Sequence, residues 1–126
     1  MKKKILIVDD DRKIAVALAA RMRALGVEVH IAQDGMAAVM TARQELPDAI
    51  VMDINMPAGG GLTAAERILN LSHTCGIPIV FITASKDSTL LDRAAEISGL
   101  RVLEKPFESS ELIQVLEDCL GELMPT

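Results

Sequence analysis

Short runs of apolar residues alternate with amphipathic stretches five times along the chain. A short apolar run bounded by turn residues is typical of a buried strand, and apolar positions at three- and four-residue spacing indicate a helix. The predicted strands are Lys3–Val8, Val27–Ala32, Ala49–Met52, Pro78–Ile82 and Arg101–Leu103. The predicted helices are Arg12–Leu25, Met36–Leu46, Leu62–Leu71, Asp87–Ser98 and Ser109–Leu120.

Residues at several boundaries support these elements. Asp11 and Ser109 are suitable N-caps for the first and last helices, because their side-chain oxygens can accept from free backbone N–H groups. Gly26 and Gly121 follow the last periodic positions of the same helices, and Pro47 stops the second helix. We therefore expect a βα unit repeated five times, without linkers or internal repeats.

Five βα units with short connections favour one α/β domain over residues 1–126. Right-handed crossovers then give a parallel, doubly wound sheet with helices on both faces. Such an open sheet has a topological switch point beside its first strand, and ligands bind there, at the carboxyl ends of the strands.

The amino-acid composition and charge exclude several classes of function. Half of the 126 residues are hydrophobic, but only two are Phe and none is Trp or Tyr, so the core must be aliphatic and base stacking is disfavoured. The net charge of −5 gives no general attraction to nucleic acid or to anionic membranes. The basic run Lys2–Lys4 precedes an apolar stretch too short for a signal peptide, and no stretch is as long as a membrane span. With two separated cysteines, we expect a cytoplasmic protein.

Chemically active side chains follow four of the predicted strands. Asp9, Asp10 and Asp11 follow the first strand, and Asp53 follows the third. Thr83 follows the fourth strand and Lys105-Pro106 follows the fifth. Because these ends share one edge of a parallel sheet, the side chains are expected to converge.

The acidic residues favour a cation site. Carboxylates within about 4 Å of one another repel by several kcal/mol, and a small all-oxygen cluster suits Mg²⁺. A polar turn with Asp11 as helix cap is the plain alternative for Asp9–Asp11. Lys105 can bind a phosphate oxygen and Thr83 offers a hydroxyl, so the set as a whole suits phosphoryl transfer, with an Asp as covalent acceptor.

Four segments carry a resemblance to a known family. They are Ile-Val-Asp-Asp at Ile7–Asp10, Met-Asp-Ile-Asn-Met-Pro at Met52–Pro57, Phe-Ile-Thr-Ala at Phe81–Ala84 and Glu-Lys-Pro-Phe at Glu104–Phe107. In this order and spacing the whole chain resembles a response-regulator receiver domain of bacterial two-component signalling, of the CheY-like group. The resemblance implies a flavodoxin-like sheet with strand order 2-1-3-4-5.

The resemblance also implies roles for individual residues. Asp53 would accept the phosphoryl group. Mg²⁺ would be bound by Asp10, by Asp9 directly or through water, by Asp53, and by the backbone carbonyl of Asn55. Lys105 would bridge the Asp53 carboxylate and the phosphoryl oxygens.

Further implied roles concern the switch itself. Thr83 and the backbone N–H of Ala84 would bind a phosphoryl oxygen, and Thr83 would move inward. Asn55 and Ser85 would flank the attacking water and tune the lifetime of the phosphate. Lys105-Pro106 would be a cis peptide.

The sequence departs from the family pattern at three places. Val102 stands where the family usually has Tyr or Phe, so we expect output to rely on the Ser85–Asp87 loop and the fourth helix. The Ala58–Gly61 stretch replaces an acidic or amide residue before a glycine, and is expected to be a mobile turn with positive φ. The Ser98–Leu100 segment, just before the last strand, also differs from the family pattern. This difference would alter a face used for dimerisation.

The expected function is that of a self-modifying switch, with no turnover enzyme activity. It would take the phosphoryl group from a sensor histidine kinase or a histidine phosphotransfer protein. The first helix, which often contacts the phosphotransfer domain in the family, has a charged face that is either simply solvated or guides docking, formed by Arg12, Lys13, Arg21 and Arg23. The output domain or target is open, as is homodimerisation through the fourth helix, last strand and fifth helix. The chain is either a stand-alone receiver or the N-terminal part of a longer protein.

Two alternatives and four residues complete the picture. A constitutive interaction module is disfavoured by the complete set of site residues. An Asp-dependent phosphatase is disfavoured by Asn55, because such an enzyme needs an acidic residue at that position.

His30 and His73 have no sequence neighbours at metal-ligand spacing and are expected at the surface or a sheet edge. Cys75 and Cys119 are too isolated for a metal or redox motif.

Overall fold

The computed structural model describes residues 2–56, 60–99 and 101–123. Its strands are β1 (Lys4–Val8), β2 (Glu28–Ala32), β3 (Ala49–Asp53), β4 (Ile79–Thr83) and β5 (Val102–Glu104). Its helices are α1 (Arg12–Ala24), α2 (Gly35–Glu45), α3 (Gly60–Leu69), α4 (Ser88–Ser98) and α5 (Ser109–Leu120). Strands and helices alternate throughout, as the apolar pattern predicts.

All four strand pairings are parallel, in the order β2-β1-β3-β4-β5. This confirms the predicted doubly wound sheet and its strand order. The chain passes from β1 to β2 on one side and then to β3 on the other, so the switch point lies between β1 and β3. In register, Val8 pairs with Met52, Asp53 with Ile82 and Thr83 with Glu104. The carboxyl ends of the strands thus form one edge.

Two apolar layers sandwich the sheet. Strand residues alternate between them, and most strand positions are buried on both faces of the sheet, as expected for parallel strands. Helices α2, α3 and α4 cover one face, while α1 and α5 cover the other. The core is mainly aliphatic, with Phe81 fully buried. Met36 and Met40 lie outside this core, because they are 69% and 53% exposed on α2.

Several boundaries differ from the sequence predictions. β3 and β4 each extend one residue further, so Asp53 and Thr83 lie within the strands, because the ladder to the next strand continues through them. Asp11 caps α1, accepting from Lys13 N at 3.0 Å. The prediction that Ser109 caps the last helix was wrong, because Ser109 is already the first helical residue of α5. Glu108 occupies the cap position with extended backbone and makes no side-chain cap bond.

The glycines before α3 have a structural role that the sequence prediction missed. α3 begins at Gly60, which has a φ of +71°, instead of at Leu62. A Cβ on Gly61 would overlap the backbone carbonyl oxygen of Asp53 and lie 2.9 Å from Met52 Cγ. Gly61 therefore lets the start of α3 approach the end of β3 closely. The positive φ expected within the Ala58–Gly61 turn is present at Gly60, whereas residues 57–59 and the altered position Leu100 lie outside the described residues.

Within the described ranges, none of the helices has the length and apolar composition needed to span a membrane.

Candidate functional site

Two buried carboxylates and one ammonium meet where β1, β3 and β5 end. Asp9 follows β1 and is fully buried, and Asp53, the last residue of β3, is 3% exposed. Lys105 follows β5 and places Nζ 3.1 Å from Asp9 Oδ2 and 3.6 Å from Asp53 Oδ2. The ammonium therefore bridges both carboxylates, whereas the resemblance implies a contact with the Asp53 carboxylate only. Lys105-Pro106 is a cis peptide, as predicted.

The environment of Asp53 opposes its ionisation. The pKa of Asp53 is raised from an ordinary value of 3.8 to about 6, first by burial and then by the charge of Asp9. The Lys105 ammonium acts in the opposite direction, as does the Asn55 N–H, which donates to Asp53 Oδ1 at 3.2 Å. One ammonium thus compensates the neighbouring carboxylates only in part, and an added cation would stabilise the ionised form.

A divalent cation fits this charge balance. Asp9, Asp10 and Asp53 each offer a carboxylate oxygen, and these atoms all lie within 4.8 Å of one another. Asp10 is exposed, so the cluster opens to solvent on one side. Asp9 is fixed in place because its Oδ1 atom accepts from Asp11 N at 2.9 Å. Hard oxygen ligands with one open side suit Mg²⁺, which keeps several of its waters.

Thr83 is held by bonds on both sides of its hydroxyl. Its Oγ1 atom donates to Asn55 Oδ1 at 2.7 Å and accepts from Ser85 N at 2.9 Å. Its backbone carbonyl accepts from Lys105 N at 2.7 Å, which ties β4 to the start of the Lys105 segment. No sequence pattern indicates the Thr83–Asn55 bond, because the two residues lie 28 positions apart.

The remaining predicted residues lie around this cluster. Ala84 is exposed next to Thr83, and Asn55 is exposed next to Asp53. Val102 begins β5 opposite Phe81 of β4, half-buried against the apolar layer under α2, α3 and α4. An aliphatic side chain thus lies at the position where the resemblance implies an aromatic ring.

A second charged cluster lies on β2, away from the Asp9–Asp53 edge. His30 lies on the edge strand β2, as expected. Its Nε2 atom lies 2.8 Å from Glu28 Oε2 and 3.3 Å from Glu45 Oε1, two contacts that the sequence analysis did not anticipate. Glu28 and His30 share one face of the edge strand, a spacing that could have signalled the pair. The Lys4 ammonium lies 3.7 Å from Glu28 and 3.6 Å from Glu45. Because Lys4 already supplies a cation here, we interpret this cluster as an ion-pair network that joins β1, β2 and α2.

Comparison with protein families agrees with the fold. The model of the response regulator receiver domain matches residues 5–117. Among curated proteins, the transcriptional regulatory protein PdtaR of Mycobacterium tuberculosis is 36% identical over 116 residues, which are 91% of this chain and 55% of PdtaR. The chain spans about half the length of the curated relatives it matches. It belongs to the response regulator receiver domain family and is a CheY-like receiver domain of two-component systems.

Solved structures of response regulators and receiver domains superpose closely on this chain. A putative response regulator from Chloroflexus aurantiacus superposes with a TM-score of 0.87 at 32% identity, covering 97% of this chain and 100% of the other. The receiver domain of the sensor histidine kinase PA1611 from Pseudomonas aeruginosa gives 0.85 at 29% identity, with the same coverage of both chains. That structure has a magnesium ion coordinated in its active-site cleft.

Proposed function

We propose that this receiver domain is a phospho-accepting switch in which Asp53 takes a phosphoryl group from a phosphohistidine. The observation that carries the proposal is the placement of the buried Asp53 carboxylate beside a second buried carboxylate and the ammonium that bridges them. The donor is the phosphohistidine of a sensor histidine kinase or a histidine phosphotransfer protein, and the domain is cytoplasmic.

The transfer balances as an in-line displacement at phosphorus. An oxygen of ionised Asp53 attacks the phosphorus, the P–N bond to the imidazole breaks, and the ring nitrogen takes back the bonding pair. The product is an aspartyl phosphate. Loss of the group is the attack of water on phosphorus, which releases inorganic phosphate and a proton and regenerates the Asp53 carboxylate. In this reaction Asn55 and Ser85 flank the path of the water and tune its rate.

Charge compensation explains the rest of the residue set. When bound, Mg²⁺ supplies positive charge that screens the phosphoryl oxygens, and Asp9, Asp10, Asp53 and the Asn55 carbonyl would hold it. Lys105, already 3.6 Å from Asp53, binds a phosphoryl oxygen with its ammonium. Thr83 and the Ala84 N–H complete the donor set around the same group.

A chain of hydrogen bonds supports α4 as the element that carries the output. Thr83 Oγ1 accepts from Ser85 N at 2.9 Å, and Ser85 Oγ accepts from Asp87 N at 3.0 Å. Asp87 in turn caps α4, accepting from Thr89 N at 2.9 Å. Movement of Thr83 therefore acts on the first turn of α4, and this route does not require an aromatic side chain at position 102, where the chain has Val102. The signal then passes by protein contact to an output domain or a target protein.

Phosphorylation by acetyl phosphate tests the proposed chemistry. With Mg²⁺ present, the intact mass of the protein should rise by one phosphoryl group. The Asp53→Ala variant should not gain the group, because the acceptor oxygen is missing. The matched control Asp92→Ala, altered at an exposed position of α4, should be modified like the wild type.

Two results would refute the proposal. One is a modified Asp53→Ala variant with the group mapped to another residue. The other is an unmodified wild-type protein that releases phosphate steadily from small phosphate esters, since that is the behaviour of a phosphatase.

A further inference from the structure

The Thr83 hydroxyl has a single proton, and that proton is already in use. Oγ1 donates it to Asn55 Oδ1 at 2.7 Å, and the oxygen also accepts from Ser85 N. A hydroxyl donates only one hydrogen bond at a time. Thr83 therefore cannot donate to a phosphoryl oxygen on Asp53 while it keeps its bond to Asn55.

Burial makes this competition a choice between two states. Thr83 is fully buried, whereas Asn55 is exposed. A buried hydroxyl without an acceptor is costly, so Thr83 leaves Asn55 only when another acceptor replaces it. The exposed Asn55 amide is hydrated after the exchange at little cost. Because Thr is branched at Cβ, the change is a jump between rotamers and not a gradual tilt.

Asn55 also contacts the acceptor residue itself. Its backbone N–H donates to Asp53 Oδ1 at 3.2 Å, and its side chain binds Thr83. One residue thus links the carboxylate that would be modified to the hydroxyl that would respond.

We propose that the Asn55 side chain is a positioning residue that holds Thr83 in the unphosphorylated arrangement and competes with the phosphoryl group for the Thr83 hydroxyl. The inference rests on the proposed function of Asp53. It gives the Asn55 side chain a role separate from that of its backbone carbonyl at the Mg²⁺ site, and the carbonyl is retained in an Ala variant.

Beryllofluoride, a phosphoryl mimic, tests the competition at saturating Mg²⁺. A net hydrogen bond of ordinary strength shifts an equilibrium by roughly two- to tenfold. Removing the competitor in Asn55→Ala should therefore lower the apparent Kd for beryllofluoride by roughly that factor. In the Thr83→Ala background, the same Asn55→Ala change should leave the Kd unaltered, because no hydroxyl remains to be released.

Amide exchange provides a second measurement without the mimic. Ser85 N–H donates to a Thr83 hydroxyl that Asn55 holds in place, so Asn55→Ala should speed exchange at Ser85. Asn70→Ala, at an exposed position just after α3, is the matched control and should change neither measurement.

The possible results distinguish failure of the proposed competition from failure of the proposed function of Asp53. An unchanged or weakened affinity in Asn55→Ala, an equal effect in both backgrounds, or an unchanged exchange rate at Ser85 overturns the competition while leaving the proposed function intact. Failure of the wild type to bind beryllofluoride more tightly than Asp53→Ala overturns the proposed function, and the competition with it.

Discussion

Gly61 lies so close to Asp53 that a Cβ at Gly61 would overlap the Asp53 carbonyl oxygen. The atom in the way belongs to the backbone of β3, so it cannot move aside as a flexible side chain could. The position of the candidate acceptor therefore depends on the absence of a side chain at the start of α3.

Gly61→Ala should destabilise the fold and disturb the site together. Overpacking at a rigid contact costs about 1–3 kcal/mol, which urea unfolding would measure. Gly76→Ala is the matched control, because a Cβ at Gly76 meets nothing within 4 Å, and its effect should stay below about 1 kcal/mol. Equal unfolding free energies for the two variants would contradict the close contact.

Asp53→Asn should stabilise the protein near pH 7.5 when divalent cations are absent. The pKa of folded Asp53 is about 6, above the ordinary 3.8, so the folded state keeps its proton where the unfolded state has lost it. Stability from this group is present below pH 4 and is lost as pH rises through 6. The difference between the folded and unfolded pKa values limits the gain in unfolding free energy from Asp53→Asn to about 3 kcal/mol. Solvent screening reduces the expected gain to about 1–2 kcal/mol.

Urea unfolding at several pH values tests that sign. The advantage of Asp53→Asn should shrink as pH falls from 7 to 4, and Mg²⁺ should raise the stability of the wild type more than that of the variant. Asp92→Asn, on the exposed side of α4, should show neither trend. A variant that is less stable than the wild type at pH 7.5 without Mg²⁺ would refute the interpretation.

Lys105→Met should raise the pKa of Asp53 above about 6. The ammonium lowers that pKa in the wild type, and without it two buried carboxylates face each other. Loss of a charged hydrogen bond of this kind should also lower the unfolding free energy at pH 7.5 by about 1.5–3 kcal/mol. Carboxyl-carbon NMR would follow the titration.

Lys86→Met serves as the control for that experiment. Lys86 is 78% exposed and pairs with exposed Glu104, so its loss should cost no more than about 1 kcal/mol and leave the Asp53 titration unchanged. If Lys86→Met shifted Asp53 as much as Lys105→Met, the bridging role of Lys105 would be wrong.

Ser85→Ala should weaken the response of α4 to beryllofluoride more than Val102→Ala does. Ser85 Oγ is the acceptor that joins the Thr83 loop to Asp87, the cap of α4. Hydrogen exchange across α4, compared with and without the mimic, measures the response. A response that survives in Ser85→Ala and disappears in Val102→Ala would place the output route at β5 instead.

The strands were predictable because most of them are short apolar runs bounded by turn residues, whereas their order was implied by the resemblance to receiver domains. The meeting of Asp9, Asp53 and Lys105 followed from the same topology, since parallel strands end at one edge. The resemblance to receiver domains gave roles to Thr83 and Asn55.

Contacts between side chains were less predictable. The Thr83–Asn55 bond and the Glu28–His30–Glu45 network depend on rotamers and on how closely α2 and the β3 end approach their neighbours. The need for Gly61 depends on the angle at which α3 meets β3. Periodicity specifies which face of an element is buried, but it does not specify these distances.

Asp9 and Lys105 are separated by 96 positions, yet they form the ion pair at the centre of the candidate site. During synthesis, Asp9 and Asp53 emerge from the ribosome long before the ammonium that balances them. A nascent chain that has not folded β5 has its two aspartates but lacks their cation. The buried acidic pair therefore gains its balancing charge only when Lys105, which follows β5, comes to lie beside Asp9.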